Sequence, residues 1–484
     1  MQSPMESAVS LQLTPGMHIH IVGVGGAGMS AIARVLLGRG FRVSGSDKQS
    51  NAQTAALAAE GVKVYKGHAA EHIAGADMVV ISSAVPRTNP EWAAAEARGL
   101  PVLKRADLLG ALMQGAVGVA VAGTHGKTTT TGMIAHILME CGLDPTVILG
   151  GTLAELGGNG RYGEGPHFVV EADEYDYMFL GLRPDVAVIT NIEHDHPDLF
   201  PTAESYRAAF SRFAALLPSG GELIICADDP GAVELLADVE PGRIKVTTYG
   251  LDETASGPTP VVQALDMRPN QMGGSDFVVE QNGQTKGLAR IRLPGAHNAR
   301  NALAALTVAM SLGVDFAQAC RALAGFGGVQ RRFQLVGEVG GVTVIDDYAH
   351  HPTEIRATLA AARQRYPGRR LWAVWQPHTF SRTRLLLDQF ASSFTHADRV
   401  VAVDIYGSRE AADPSITTAA VVERMGHSGA VHIPDRRAAA DYLLERLHPD
   451  DVVLTLGAGD GDVIGQWVLE GLQLQQGTKR KPAT

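Results

Sequence analysis

Short apolar runs along the chain alternate with stretches whose apolar residues recur every three or four positions. The first run, His18–Val22, leads into Gly23-Val24-Gly25-Gly26-Ala27-Gly28, after which Met29, Ile32, Val35 and Leu36 follow a helical period. Further strands are predicted at 41–47, 61–65 and 77–82. Strand, helix and strand in alternation imply a parallel sheet with covering helices, and this first block spans 16–108.

A second block, 109–325, has predicted strands at 118–122, 167–170, 186–190 and 222–226. Between 247 and 294 the texture changes to Gly, Pro and short alternating runs such as Asp276-Phe277-Val278-Val279-Glu280, which predicts a small antiparallel flanking sheet. Helical spacing resumes at 298–311. After the hinge candidate Gly325-Phe326-Gly327-Gly328, a third block, 326–470, has predicted strands at 342–345, 371–375, 400–403, 430–433 and 452–456. The expected fold class is α/β in three domains, with a flexible tail at 471–484.

Composition narrows the function. The 484 residues suffice for three domains of ~150 residues each. At 45% apolar and 19% charged residues, the chain has an ordinary globular balance. A net charge of −10 disfavours nucleic acid and anionic membranes, so neither a nucleic-acid partner nor membrane insertion is expected. Anions must then be held by local devices such as helix N-termini. Cys141, Cys226 and Cys320 match no zinc or disulfide spacing and read as thiols in a reducing compartment. The first thirteen residues show no basic segment followed by an apolar run, and a cytoplasmic location is expected.

The strongest chemical signal is Gly123-Thr124-His125-Gly126-Lys127-Thr128-Thr129, set between an apolar strand and a helical pattern. Its glycines let backbone N–H groups turn around phosphate oxygens, and the helix N-terminus adds positive potential. Lys127 reaches the β- and γ-phosphates, and the Thr128 hydroxyl suits Mg²⁺. Val121 stands where the generic pattern has its first glycine, so the loop is a shortened variant. Glu171 follows one neighbouring strand, and Asn191 and His196 follow another, where open α/β sheets bind ligands. A carboxylate there suits Mg²⁺, but the run Glu171-Ala172-Asp173-Glu174-Tyr175-Asp176 leaves open which acid it is. In the first block, Gly23-x-Gly25-x-x-Gly28 with Asp47 at the next strand end points to a diphosphate and a sugar hydroxyl, which NAD and a nucleotide sugar both provide. In the third block, polar clusters at 346–352, 376–384, 404–406 and 456–460 follow successive strands and imply a binding face.

Together these motifs resemble the Mur ligase family, the ATP-dependent amide-forming enzymes of peptidoglycan synthesis. The resemblance runs from His18 to Trp467. It rests on the residues at 23–30, 123–129, 171–174 and 191–196, on His297-Asn298 with Asn301, on Arg331-Arg332-Phe333 and on 346–352. It implies an N-terminal Rossmann-like UDP-binding domain, a central P-loop ATPase-like domain and a C-terminal Rossmann-like domain that closes over the site. It further implies ATP and Mg²⁺ as cofactors, and UDP-N-acetylmuramate and L-alanine as substrates of a monomer or homodimer, joined through an acyl phosphate. Catalysis would fall to Lys127, His196, Arg332 and Asp347. ATP would meet Gly123, Thr124, His125, Gly126, Lys127, Thr128 and Thr129, with Asn298, Asn301, Arg332 and Tyr348. Thr128, Glu171 and His196 would serve the metal. Gly25, Gly26, Ala27, Gly28, Asp47 and Ser83 would seat the UDP-sugar, and His350 and Arg382 the amino acid. Phe210 stands where several sister ligases carry a modifiable lysine, and Thr379 where some relatives carry arginine. The segments 174–176 and 194–198 also resemble the branch that recycles whole tripeptides, which is the alternative reading.

Overall fold

The computed structural model, which describes residues 13–251 and 259–479, gathers the apolar runs into three sheets. In the first, β1 (His18–Val22), β2 (Arg42–Asp47), β3 (Lys63–Lys66), β4 (Met78–Ile81) and β5 (Val102–Lys104) are all parallel, in the order β3-β2-β1-β4-β5. Ile19, Ile21 and Val22 are fully buried, as a strand with neighbours on both sides and helices on both faces requires. Chain direction across the sheet reverses beside β1, so the glycine loop that follows it opens into a crevice.

The second sheet has ten strands: β6 (Val117–Ala122), β7 (Thr146–Leu153), β8 (Gly158–Arg161), β9 (His167–Glu171), β10 (Val186–Ile189), β11 (Glu222–Cys226), β12 (Lys245–Leu251), β13 (Val262–Pro269), β14 (Ser275–Gln281) and β15 (Gln284–Ile291). Their order is β15-β14-β13-β12-β11-β10-β6-β9-β7-β8. β6 lies between β9 and β10, parallel to both, so the chain leaves all three strands at the same edge. β13, β14 and β15 are antiparallel as expected, but the parallel pairing of β12 with β13 makes them part of the central sheet.

β7 and β8 were not expected from the sequence. They carry the sheet to the helix Ala27–Gly38 of the first domain, where a Cβ on Gly160 would stand 2.5 Å from the Ala31 carbonyl oxygen. Buried Asn159 on β8 donates to Ala27 O (2.5 Å) and Ser30 Oγ (3.0 Å) and accepts from Arg34 Nη1 (2.5 Å), fastening the two domains together.

The third sheet orders β16 (Gln334–Val339), β17 (Val342–Asp347), β18 (Leu371–Trp375), β19 (Arg399–Ala402), β20 (Ala430–His432) and β21 (Val452–Leu456) as β16-β17-β21-β18-β19-β20. Only β16 runs antiparallel to its neighbour. The last helix, Val463–Lys479, runs into the tail expected from 471, and its first half packs Ile464, Val468 and Leu472 in one cluster with Val342 and Val344. Residues 1–12 and 480–484, including most of the leader region considered above, lie outside the described residues. The three cysteines are free thiols, and among the described residues no helix is long and apolar enough to cross a membrane.

Candidate active site

β6 ends in a loop whose path depends on two glycines. Gly123 (φ 138°) and Gly126 (φ 81°) hold conformations that a Cβ disfavours. A Cβ on Gly123 would stand 2.0 Å from Thr190 Oγ1, and one on Gly126 2.6 Å from Asn301 Oδ1. Gly126 begins the helix Lys127–Glu140 with no side-chain cap, which leaves the N-terminal N–H groups for an anion. The loop is braced from the end of β10. Asn191 Oδ1 accepts from His125 N (2.8 Å), and Thr190 Oγ1 donates to His125 O (2.6 Å). Thr124 turns its hydroxyl inward and donates it to Glu193 O (2.9 Å).

The acids at 171–176 take different partners. Glu171 Oε1 accepts from Thr128 Oγ1 (3.0 Å), and its Oε2 accepts from Gly150 N on β7 (2.7 Å). Glu174, 1% exposed, pairs with Lys127 (2.9 Å), accepts from the Tyr206 hydroxyl (3.1 Å) and faces His196 Nε2 (3.5 Å). Burial opposes charge on Glu174, but Lys127 and His196 overcome it and hold the carboxyl at about 2. Burial likewise opposes charge on Lys127, and the neighbouring acids, Glu174 foremost, raise its pKa above the ordinary value. Burial opposes charge on His196, which Glu174 and Asp195 restore, raising its pKa. Phe210, at the position of the modifiable lysine, is fully buried between Phe179 and Tyr206.

The third domain closes over these groups through polar contacts. Buried Arg382 donates to both oxygens of Asp195 (2.9 and 3.2 Å), and Thr353 Oγ1 donates to Glu193 Oε1 (2.8 Å). His125 lies between Glu193 (3.0 Å) and Glu354 (3.2 Å). Its burial opposes protonation, but hydrogen bonds and charge from these two carboxylates raise it to about 9. Arg332 reaches Glu354 (3.6 Å) and stacks on Tyr348 (5.1 Å). His350 is pushed down to about 3 by burial and by Arg382.

Two cavities of about 320 Å³ each flank the loop. Thr129, Asn298 and Asn301 line the first; Lys127, Thr128, Glu171, His196, His350 and Arg382 line the second. Gly126 and Arg332 border both. Three of the expected residues have particular surroundings. Tyr348, grouped with the nucleotide, lines the second cavity. Asp347, expected in catalysis, lines the first, and its carboxylate accepts Phe333 N (2.7 Å) and Ala349 N (2.8 Å), so it braces the entry to the third domain; burial raises it to about 6. Arg382 is committed to Asp195, although it does reach the expected cavity.

In the first domain, Gly26 and Ala27 are exposed at the uncapped start of their helix. Asp47 Oδ2 accepts from Gly25 N (2.9 Å) and supports the loop, and its Oδ1 accepts from Gln49 N (3.3 Å). A Cβ on Gly28 would lie 2.3 Å from Arg105 Cζ, so that guanidinium covers the first helical turn. Ser83 is exposed beyond β4 and borders neither cavity. Arg105, Tyr206 and Glu354 carried no sequence signal of their own. Glu193 and Asp195 lay within the 191–196 motif but were not singled out.

Comparison with known proteins gives matches in chain order. Residues 18–116 match the model for the Mur ligase family, catalytic domain; 121–309 the Mur ligase middle domain; and 331–459 the Mur ligase, glutamate ligase domain. The UDP-N-acetylmuramate–L-alanine ligase of Salinibacter ruber is 47% identical over 446 residues, spanning 91% of this chain and 92% of that protein. The ligase of the same name from Renibacterium salmoninarum is 44% identical over 96% of this chain and 98% of its own length. Among solved structures, the UDP-N-acetylmuramate-alanine ligase of Thermotoga maritima aligns with a TM-score of 0.80 at 30% identity, covering 95% of this chain and all (100%) of that one. A murein peptide ligase from Psychrobacter arcticus aligns with a TM-score of 0.71 at 28% identity over 94% and 99% of the two chains.

Proposed function

The chain belongs to the Mur ligase family, and we infer that it is the ATP-dependent enzyme that joins L-alanine to UDP-N-acetylmuramate. The observation that carries the chemistry is the placement of Lys127, Thr128 and Glu171 beside His196 and His350 in one cavity, across Gly126 from a second cavity edged by Asn298 and Asn301.

In this reading the nucleoside of ATP takes the Asn298 and Asn301 cavity, and its phosphates cross Gly126 to the helix N-terminus. Lys127 exchanges Glu174 for the γ-phosphoryl oxygens, while Glu174 remains tied to His196 and the Tyr206 hydroxyl. A carboxylate oxygen of the muramyl lactate attacks the γ-phosphorus and ADP departs, leaving an acyl phosphate. The neutral amine of alanine adds to the acyl carbon, loses a proton, and phosphate leaves. Phosphoryl transfer needs positioning and charge neutralisation, which the loop and Lys127 provide.

The donor set fits Mg²⁺. Two oxygen donors of different type, Thr128 Oγ1 and Glu171 Oε1, lie 3.0 Å apart at the phosphate loop, with His196 across the same cavity. Those residues would hold the ion, which when bound supplies charge neutralisation to the phosphates. The same reading assigns the UDP diphosphate to the uncapped helix at Gly26 to Gly28, beside the Arg105 guanidinium.

The test is ADP release by the purified protein with UDP-N-acetylmuramate and, separately, alanine, glycine, serine or tripeptide. Alanine should give the highest kcat/KM. A tripeptide preference would replace this reading with the recycling ligase, and ADP release independent of any added amine would refute it.

A further inference from the structure

In the cavity that holds Lys127 and His196, the lysine and arginines are matched to carboxylates with one exception. Lys127 pairs with Glu174, Arg332 with Glu354 and Arg382 with Asp195. The exception is Arg409, in the segment after β19, which lines the same cavity. Its side chain is exposed, and its guanidinium carbon lies 4.7 Å from the centre of the Tyr175 ring. Among the described residues no carboxylate pairs with it.

The surroundings bring Arg409 close to His196 through the ring of Tyr175. Its neighbour Glu410 accepts from the backbone N–H of Phe380 (2.6 Å) and Ser381 (2.9 Å), tying this segment to the helix Phe380–Leu385 that carries Arg382. Beneath the guanidinium, Tyr175 packs edge-on against His196 (5.1 Å) and donates its hydroxyl to Asp198 (3.1 Å). Contact with the ring face attracts the cation without neutralising it. At the start of the helix, Thr379 (φ 67°) carries no charge.

A free amino acid brings an α-carboxylate into this cavity beside the amine that must react. Next to Arg382, that carboxylate meets a guanidinium already compensated by both oxygens of Asp195; next to Arg409 it meets a guanidinium that, among the described residues, has no ion-pair partner. We propose that Arg409 recognises the α-carboxylate of the amino-acid substrate and so distinguishes a free amino acid from the N-terminal residue of a peptide, which has an amide in that place. This assignment rests on the alanine-adding reading above.

The experiment measures ADP release with UDP-N-acetylmuramate and either L-alanine or L-alaninamide, for the unmodified chain, Arg409→Ala, Arg409→Lys and Arg409→Ala combined with Thr379→Arg. In Arg409→Ala the KM for L-alanine should rise on the order of 10- to 100-fold, the loss expected for one charge-assisted contact. The KM for ATP and the kcat/KM for alaninamide should stay unchanged. Arg409→Lys and the added arginine at 379 should each restore part of the alanine affinity. An alanine KM within about threefold of the unmodified value, or an equal loss for alanine and alaninamide, overturns the assignment. If the unmodified chain shows no alanine-dependent ADP release, the alanine-adding reading falls and this assignment with it. Alanine-dependent release with an unchanged KM in Arg409→Ala overturns the assignment alone.

Discussion

Replacing Lys127 with alanine acts on two states of the protein. In turnover it removes the charge facing the transferred phosphoryl group. Loss of one preorganised donor of this kind lowers kcat by about 10²- to 10³-fold. In the resting protein it strands Glu174, which is 1% exposed and retains only the Tyr206 hydroxyl (3.1 Å) and His196 (3.5 Å) as partners. Breaking a buried ion pair costs about 3–5 kcal/mol, and these remaining partners place the loss at the lower end, about 3 kcal/mol. Glu174→Gln in the same molecule removes the stranded charge while keeping a group that accepts from Tyr206. The double variant should therefore regain about 1–2 kcal/mol over Lys127→Ala and remain as inactive. Urea unfolding measures the first quantity and ADP release the second. Calorimetric titration with UDP-N-acetylmuramate should show its affinity largely retained, because its proposed seat is in the first domain. The reasoning is refuted if Lys127→Ala keeps more than about a tenth of kcat, or if the double variant is no more stable than the single one.

Three further outcomes follow from particular contacts. Burial opposes the charge on His125, but Glu193 and Glu354 raise its pKa to about 9 from an ordinary 6.5. Its stabilising contribution is therefore full below pH 6.5 and lost as pH rises through about 9, and His125→Gln should flatten that part of the urea-midpoint profile; an unchanged slope would contradict the pairing. Gly123→Ala puts a Cβ 2.0 Å from Thr190 Oγ1 at φ 138°, and it should weaken ATP binding at least about tenfold by titration calorimetry while UDP-sugar binding persists. Asn159→Ala removes the contacts to Ala27, Ser30 and Arg34, and should lower stability by about 2–3 kcal/mol and make the first domain unfold as a separate transition in scanning calorimetry; a single unshifted transition would show that those bonds do not couple the domains.

The parts of the fold legible in the sequence were strands buried on both faces. β6 and β10 are continuous apolar runs, and β1 is apolar apart from His18 and His20, because helices cover both sides of their sheets, and the glycine loops follow from where those runs stop. β7 and β8 escaped notice because they contain Gly150, Gly151, Gly158 and Gly160, residues that lower strand propensity but here allow close approach to Thr128, Arg34 and Ala31. The choice between Glu171 and Glu174 had no local answer. The register, Val121 opposite Glu171, brings that acid level with the phosphate loop, while Glu174 turns inward to Lys127. Arg382 was legible as a site residue, but not its neutralisation by Asp195, which lies 187 positions away in sequence. Arg409 was invisible for a related reason. Its significance comes from a guanidinium left without an ion-pair partner in a cavity lined by residues of two domains, and no single segment shows that pairing.

The central claim is that the muramyl carboxylate is activated by phosphorylation at Lys127 before the amine attacks. Turnover of UDP-N-acetylmuramate labelled with ¹⁸O in its lactyl carboxylate, with ATP and L-alanine, tests it directly by mass spectrometry of the products. The account predicts ADP, one ¹⁸O in each phosphate released and the other retained in the new amide. Unlabelled phosphate, or AMP in place of ADP, would contradict it.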